Sequence, residues 1–247
     1  MKLKTKILPW LDVLAIAAWG ILLLKYWLNG KLGLLIHPDY FWLVTITALI
    51  MLTVSSLKAG ELLRRRRTAN RLGHFTFFPP GWSSTLMLAT AFFGIVFTPH
   101  VFASQTALQR GVTDSVTLTR SQPQAFRSSR PPEERTLVDW VRTLNVYPEP
   151  DTYTGQKVKV QGFVIHSTEL PEQYLTLARF VITCCAADAY PVGLPVKLPQ
   201  NSKAYPADSW LEVQGKMNTE SLAGKRQLTI QASLIKPIPE PKNPYDY

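Results

Sequence analysis

The chain has 247 residues and a formal net charge of +10, enough for one large domain or two small ones. The basic excess is local: residues 1–80 hold eleven Lys or Arg against three acidic groups, a net of +8, and the other 167 residues carry only +2. A nucleic-acid binder would place its excess on the folded domain, so that class is excluded. The two adjacent cysteines, Cys184 and Cys185, exclude a disulfide framework.

Three apolar stretches open the chain. Pro9 to Leu28 is interrupted by Asp12 and Lys25, which lie about 20 Å apart along a helix and can each reach an interface. Tyr40 to Leu57 is uncharged and covers about 27 Å as a helix, sufficient for a crossing. Trp82 to Phe102 follows the Pro79-Pro80-Gly81 break. The residues predict transmembrane helices over about 9–28, 40–57 and 82–102. The alternative is a cleaved leader followed by two spans; Trp10, Trp19, Tyr26 and Trp27 favour an interfacial helix over a leader. Arg64 to Arg67 with Arg71 form the densest basic cluster and lie between the second and third spans. The positive-inside rule retains that loop, and with it the N-terminus carrying Lys2, Lys4 and Lys6, in the cytoplasm. Everything after about Ser104 is then expected outside, on a plasma (inner) membrane protein of several passes.

Residues 104–132, rich in Ser, Thr, Gln, Arg and Pro, predict an extended extracytoplasmic linker after a transmembrane region at 1–103. A short helix is predicted from Pro132 to Leu144, with Leu137, Trp140, Val141 and Leu144 on one face and Glu133 and Glu134 in its first turn. Strand-like runs follow at Gly155–His166, Tyr174–Thr183, Val192–Leu198, Ser209–Met217 and Gln227–Leu234. In the first, the apolar parity shifts at Gly162, the mark of a bulge or sharp bend that lets one strand serve two parts of a closed sheet. Residues 133–247 are therefore expected to form a short helix plus a small all-β barrel of the OB type, with an open two-layer sandwich as the alternative.

The most unusual local feature is Cys184-Cys185 within RFVITCCAADA. Adjacent side chains of a regular strand point to opposite faces, so the thiols converge only where the strand ends, as Ala186-Ala187-Asp188 suggests. Three readings compete: inert small hydrophobes, a labile vicinal disulfide, or soft thiolates for zinc or copper with Asp188 or His166 as further ligands. No Ser-His-acid grouping, His-pair metal motif or phosphate-cradling Gly-rich loop occurs, which predicts a non-enzymatic protein. The three spans carry no ionisable group at mid-depth, so a transport route would need another subunit.

The run RFVITCCAADA, then PVGLPV (Pro191 to Val196), a Trp-containing strand (Trp210 to Gly215) and the terminal Pro244-Tyr245-Asp246-Tyr247 resemble the YcgQ-like family, regarded as subunits of two-component permeases. The resemblance covers about Thr136 to Tyr247, and the family's soluble part is a domain of unknown function. Arg179, Cys184, Cys185, Asp188, Trp210 and Tyr245 coincide with its pattern, though none of them has an assigned role. The resemblance implies a partner, a separate multi-pass permease in the same bilayer. The leading expectation is thus an accessory permease subunit whose outer domain contacts substrate or permease, with Arg179, Cys184, Cys185 and Asp188 as binding candidates. The rival is a membrane-tethered thiol protein using the cysteines for zinc, copper or redox chemistry.

Overall fold

The computed structural model describes residues 2–64, 81–112, 130–222 and 224–247. It divides into two compact units, Met1–His100 and Val101–Tyr247.

The first unit is helical: α1 (Lys2–Leu28), α2 (Phe41–Arg64) and α3 (Trp82–Val96). Long, predominantly apolar sequence makes α1 and α2, and both are long and apolar enough to cross a membrane. α3 is shorter than the expected third span because the chain leaves the helix at Phe97, ahead of Pro99, whose ring disfavours helical backbone at Thr98. Arg64 ends α2, while Arg65 to Arg67 and Arg71 lie outside the described residues.

α1 packs against both neighbours. Toward α2, Ser55 donates to the Val13 carbonyl at 3.2 Å, and Gly20 lets the helices approach so closely that a Cβ there would stand 2.9 Å from the Leu52 side chain. Pairing early α1 with late α2 makes these two antiparallel. Toward α3, the Ser84 hydroxyl donates to the Asp12 carboxylate, Trp19 Nε1 donates to the Met87 carbonyl at 3.0 Å, and the Tyr26 hydroxyl donates to the Gly94 carbonyl at 2.6 Å. Matched order along both helices makes α1 and α3 parallel, so the helices run up, down and up. Lys25 Nζ donates to the Ile95 carbonyl at 2.5 Å, and with Tyr26 it caps α3's last turn, where carbonyls have no intrahelical partner. Lys25→Met should leave that acceptor unpaired and cost about 1–3 kcal/mol. A lower melting midpoint for the helical signal of the detergent-solubilised chain is the expected result, and an unchanged one shows the cap to be dispensable.

The second unit opens with a departure from the expected extended linker. Ser104–Arg110 form helix α4, whose Ser104 N–H donates to the Asp208 carboxylate, and Arg110 donates to the Ala189 carbonyl while lying 4.8 Å from the Phe102 ring centroid. The polar composition of this stretch concealed a helix because its start is satisfied by a residue far along the chain. Residues 113–129 of the expected linker lie outside the described residues. The helix expected at 132–144 is divided. Pro132–Glu134 form a separate 3-10 turn, and α5 (Leu137–Val146) starts where Thr136 and Asp139 cap each other's backbone N–H groups at 3.1 and 3.0 Å. Leu137, Val138, Trp140 and Val141 enter the core.

A six-stranded sheet follows: β1 (Lys157–Ile165), β2 (Tyr174–Val181), β3 (Tyr190–Lys197), β4 (Trp210–Leu222), β5 (Lys225–Ile238) and β6 (Tyr245–Asp246). The order is β1-β4-β5-β3-β2-β6, and β1 also pairs with β2, so the pairings among the first five strands return to their start. Gly162 is the pivot. β1 pairs β4 from Lys157 to Phe163 and β2 from Phe163 to Ile165, and a Cβ on Gly162 would meet the Ala178 carbonyl at 2.6 Å. Each strand expected from alternation is present; the sixth, β6, joins β2 in parallel. Val158, Val160, Leu175, Leu177, Val192, Leu194, Val213 and Ile230 form the core with α5.

Candidate functional site

β2 ends at Val181, before the cysteines, so the strand alternation that would part them no longer applies. Ile182 remains buried, its N–H donating to the Asp246 carbonyl at 3.0 Å, and the chain then turns outward. Cys184 is exposed and Cys185 half-buried, and both are free thiols. Asp188, closing the 3-10 turn Ala186–Asp188, folds its carboxylate back under them. It accepts the N–H groups of Thr183, Cys184 and Cys185 at 3.3, 2.8 and 3.3 Å. The Asp188 N–H in turn donates to the Cys185 carbonyl at 3.0 Å, which closes the turn.

The electrostatics follow from this frame. The Cys184 thiol donates to the Asp188 carboxylate and lies beside the Cys185 sulfur; both raise its pKa, to about 11. Asp188 is pushed up by burial, but the Cys184 thiol and the three backbone N–H groups outweigh that and hold it below the usual carboxylate value. A carboxylate so occupied acts as a frame for the thiols. His166 is held elsewhere, its Nε2 being 2.8 Å from the Tyr205 carbonyl. Among the described residues no three His, Cys, Asp or Glu side chains gather in a metal-binding group.

Arg179 shares β2 with this turn, but its guanidinium is engaged by the C-terminal segment. It donates to the Asn243 carbonyl at 2.6 Å, lies 5.6 Å from the Trp210 ring centroid, and approaches the Asp246 carboxylate to 3.4 Å. That approach is an ion-pair contact without hydrogen-bond alignment, leaving Arg179 Nε and Asp246 Oδ2 buried and unbonded. Tyr245, next to Asp246, belongs to an aromatic group with Phe102, Phe163, Phe180 and Trp210. Four of the motif residues (Arg179, Trp210, Tyr245 and, through the turn, Cys184) thus depend on one strip of β2 and its neighbours. The sequence places Asp246 in a terminal motif and Phe102 at the end of an apolar run but gives neither a partner; the apolar-acidic alternation of the last residues is too short to predict the strand they form with β2.

Burial raises the Asp246 pKa above its ordinary 3.8, against the attraction of Arg179. A carboxyl raised in the folded state binds its proton more tightly there. Its contribution to stability is complete below the unfolded pKa and is lost as pH rises through the folded one. Arg179→Met removes the restraining cation, so the variant should lose more stability than the parent as pH rises above the ordinary carboxylate range. Urea unfolding at several pH values checks this, and parallel losses in both proteins would uncouple the two residues.

The molecule is an apolar helical unit followed by a six-stranded β domain that presents a two-thiol turn. Residues 133–247 match the family model of the DUF1980 C-terminal domain, so a DUF1980 C-terminal domain is present here. No curated protein matches the chain.

Proposed function

We propose that this chain is a non-enzymatic accessory subunit of a two-component membrane permease. The helical unit anchors it in the bilayer, and the β domain, a closed barrel of the OB type, contacts the permease or its substrate on the extracytoplasmic face. The barrel reading is supported by the ring of pairings β1–β2–β3–β5–β4–β1. The observation that carries the function is the charge distribution of the helices. Asp12 and Lys25, the charged side chains within α1 beyond its N-terminal lysines, sit near opposite ends and are held by Ser84 and the Ile95 carbonyl, and residues 13–24, 41–57 and 82–96 carry no charge. Such a bundle has no ionisable path at mid-depth and suits an anchor that docks on another subunit. Sidedness rests on the basic residues at α2's end and at the N-terminus.

Two measurements test this. Purified from native membranes in mild detergent, the chain should carry one multi-pass membrane protein in fixed stoichiometry, and a monodisperse single chain would overturn the proposal. A membrane-impermeant maleimide should label Cys184 on intact cells as it does after lysis; labelling only after lysis would reverse the orientation.

The second reading, a membrane-tethered thiol protein binding metal or exchanging electrons through Cys184 and Cys185, is favoured by one observation: both thiols are free and lie side by side at the surface.

A further inference from the structure

We infer that the Cys184–Cys185 turn is a two-sulfur site for a soft monovalent cation of the copper(I) class, with Asp188 as its positioning residue. The inference deepens the thiol reading and is independent of the subunit role. Three features of the turn support it. The sulfurs lie next to each other on irregular backbone beyond β2, one exposed and one half-buried, so an incoming ion reaches both. Their placement is built in, because Asp188 gathers three successive backbone N–H groups and returns its own N–H to the Cys185 carbonyl. The donor set also stops at two. The Asp188 oxygens are committed to the backbone, His166 is bonded to the Tyr205 carbonyl, and no third His, Cys, Asp or Glu completes a cluster among the described residues.

That count selects the ion. Structural zinc takes four ligands and catalytic zinc three from the protein, so two sulfurs leave it incomplete. Copper(I) is soft, prefers thiolates, and is satisfied by two of them. Binding breaks two S–H bonds and forms two Cu–S bonds. Both protons leave to solvent, and neither copper nor sulfur changes oxidation state. The surface position suits a site that accepts and releases its ion, as a carrier for a membrane partner does.

The test uses the full chain in mild detergent under anaerobic conditions, titrated with copper(I) against a chromogenic copper(I) chelator. One copper per chain is expected, with an all-sulfur coordination signal in X-ray absorption. Cys184→Ser and Cys185→Ser should each lose stoichiometric binding while keeping the parent's melting midpoint. Alkylating both thiols of the native chain should do the same, and does not depend on any variant folding. Asp188→Asn should weaken binding on the order of 10-fold while two titratable thiols remain, as supporting residues of metal sites do. Copper retained by the alkylated chain would mark the ion as adventitious and overturn the site. Zinc(II) bound one per chain and resisting displacement by copper(I) would overturn the ion class, and full affinity in Asp188→Asn would remove Asp188 from it. Co-purification of a permease is read separately, so loss of copper binding with the partner retained defeats this inference alone.

Discussion

Tyr245→Ala is expected to cost the β domain about 3–5 kcal/mol, the range for deleting a large buried aromatic side chain. Tyr245 is 2% exposed. Its ring stacks on Phe102 at 5.7 Å between centroids and meets Phe180 edge-on at 6.1 Å, and its hydroxyl accepts the Phe102 N–H at 3.0 Å. Removing it opens a cavity and frees the segment leading into α4. Tyr245→Phe keeps the ring and leaves the Phe102 N–H without its acceptor, so its cost should be smaller, about 1–3 kcal/mol. Urea unfolding followed by tryptophan fluorescence resolves the two. The Ala variant should also speed alkylation of Cys184, because β6 holds Ile182 at the base of the thiol turn through the Asp246 carbonyl. A loss below about 0.5 kcal/mol, typical of surface changes, would remove Tyr245 from the core.

The second large effect is expected at Gly215. Between Gln214 and Gly215 the β4–β5 register slips, Gln214 facing Leu234 and Gly215 facing Ala232. The backbones come so close at this bulge that a Cβ on Gly215 would stand 2.0 Å from the Gln231 carbonyl oxygen and 3.1 Å from the Ala232 Cα. Backbone atoms in a paired strand cannot rotate aside as a side chain would. Gly215→Val should therefore cost at least the upper end of the usual 1–3 kcal/mol for overpacking, enough to lower the yield of folded protein. Gly224 is the control. It has φ +77° and open space around its Cβ position, so Gly224→Ala carries only the left-handed backbone penalty of about 1–2 kcal/mol. Equal losses at the two glycines, measured by urea unfolding, would show the close approach to be relieved by strand movement.

The expected and observed elements diverge in an instructive way. Alternation located β1, β2, β3, β4 and β5, and the parity shift at Gly162 announced that β1 changes partner, because burial of one face leaves a period of two in the residues themselves. Helical spacing of Leu137, Trp140, Val141 and Leu144 located α5, although Glu133 and Glu134 drew its start too early; the Thr136–Asp139 cap marks the true start. For α3 an apolar run extending to Phe102 concealed an end set by Pro99 and by Lys25 and Tyr26 from another helix. At the site, the adjacency of Cys184 and Cys185 was plain, and so was an exit from the strand near Ala186. The sequence offers Asp188 or His166 as a further ligand; in the fold the Asp188 carboxylate faces the backbone of the turn and His166 the Tyr205 carbonyl.

The sequence by itself determined the division into apolar helices and a β domain, the sign and place of the charge excess, and the thiol pair, because hydrophobic period, length and charge are carried by residues near one another in the chain. Only the tertiary structure decided which strands meet, that Asp246 serves Arg179, that Asp208 caps α4 and that Asp188 frames the cysteines. Such contacts depend on where distant segments are brought together by burial of the whole core, and a short polar residue has several nearby partners open to it until that packing selects one.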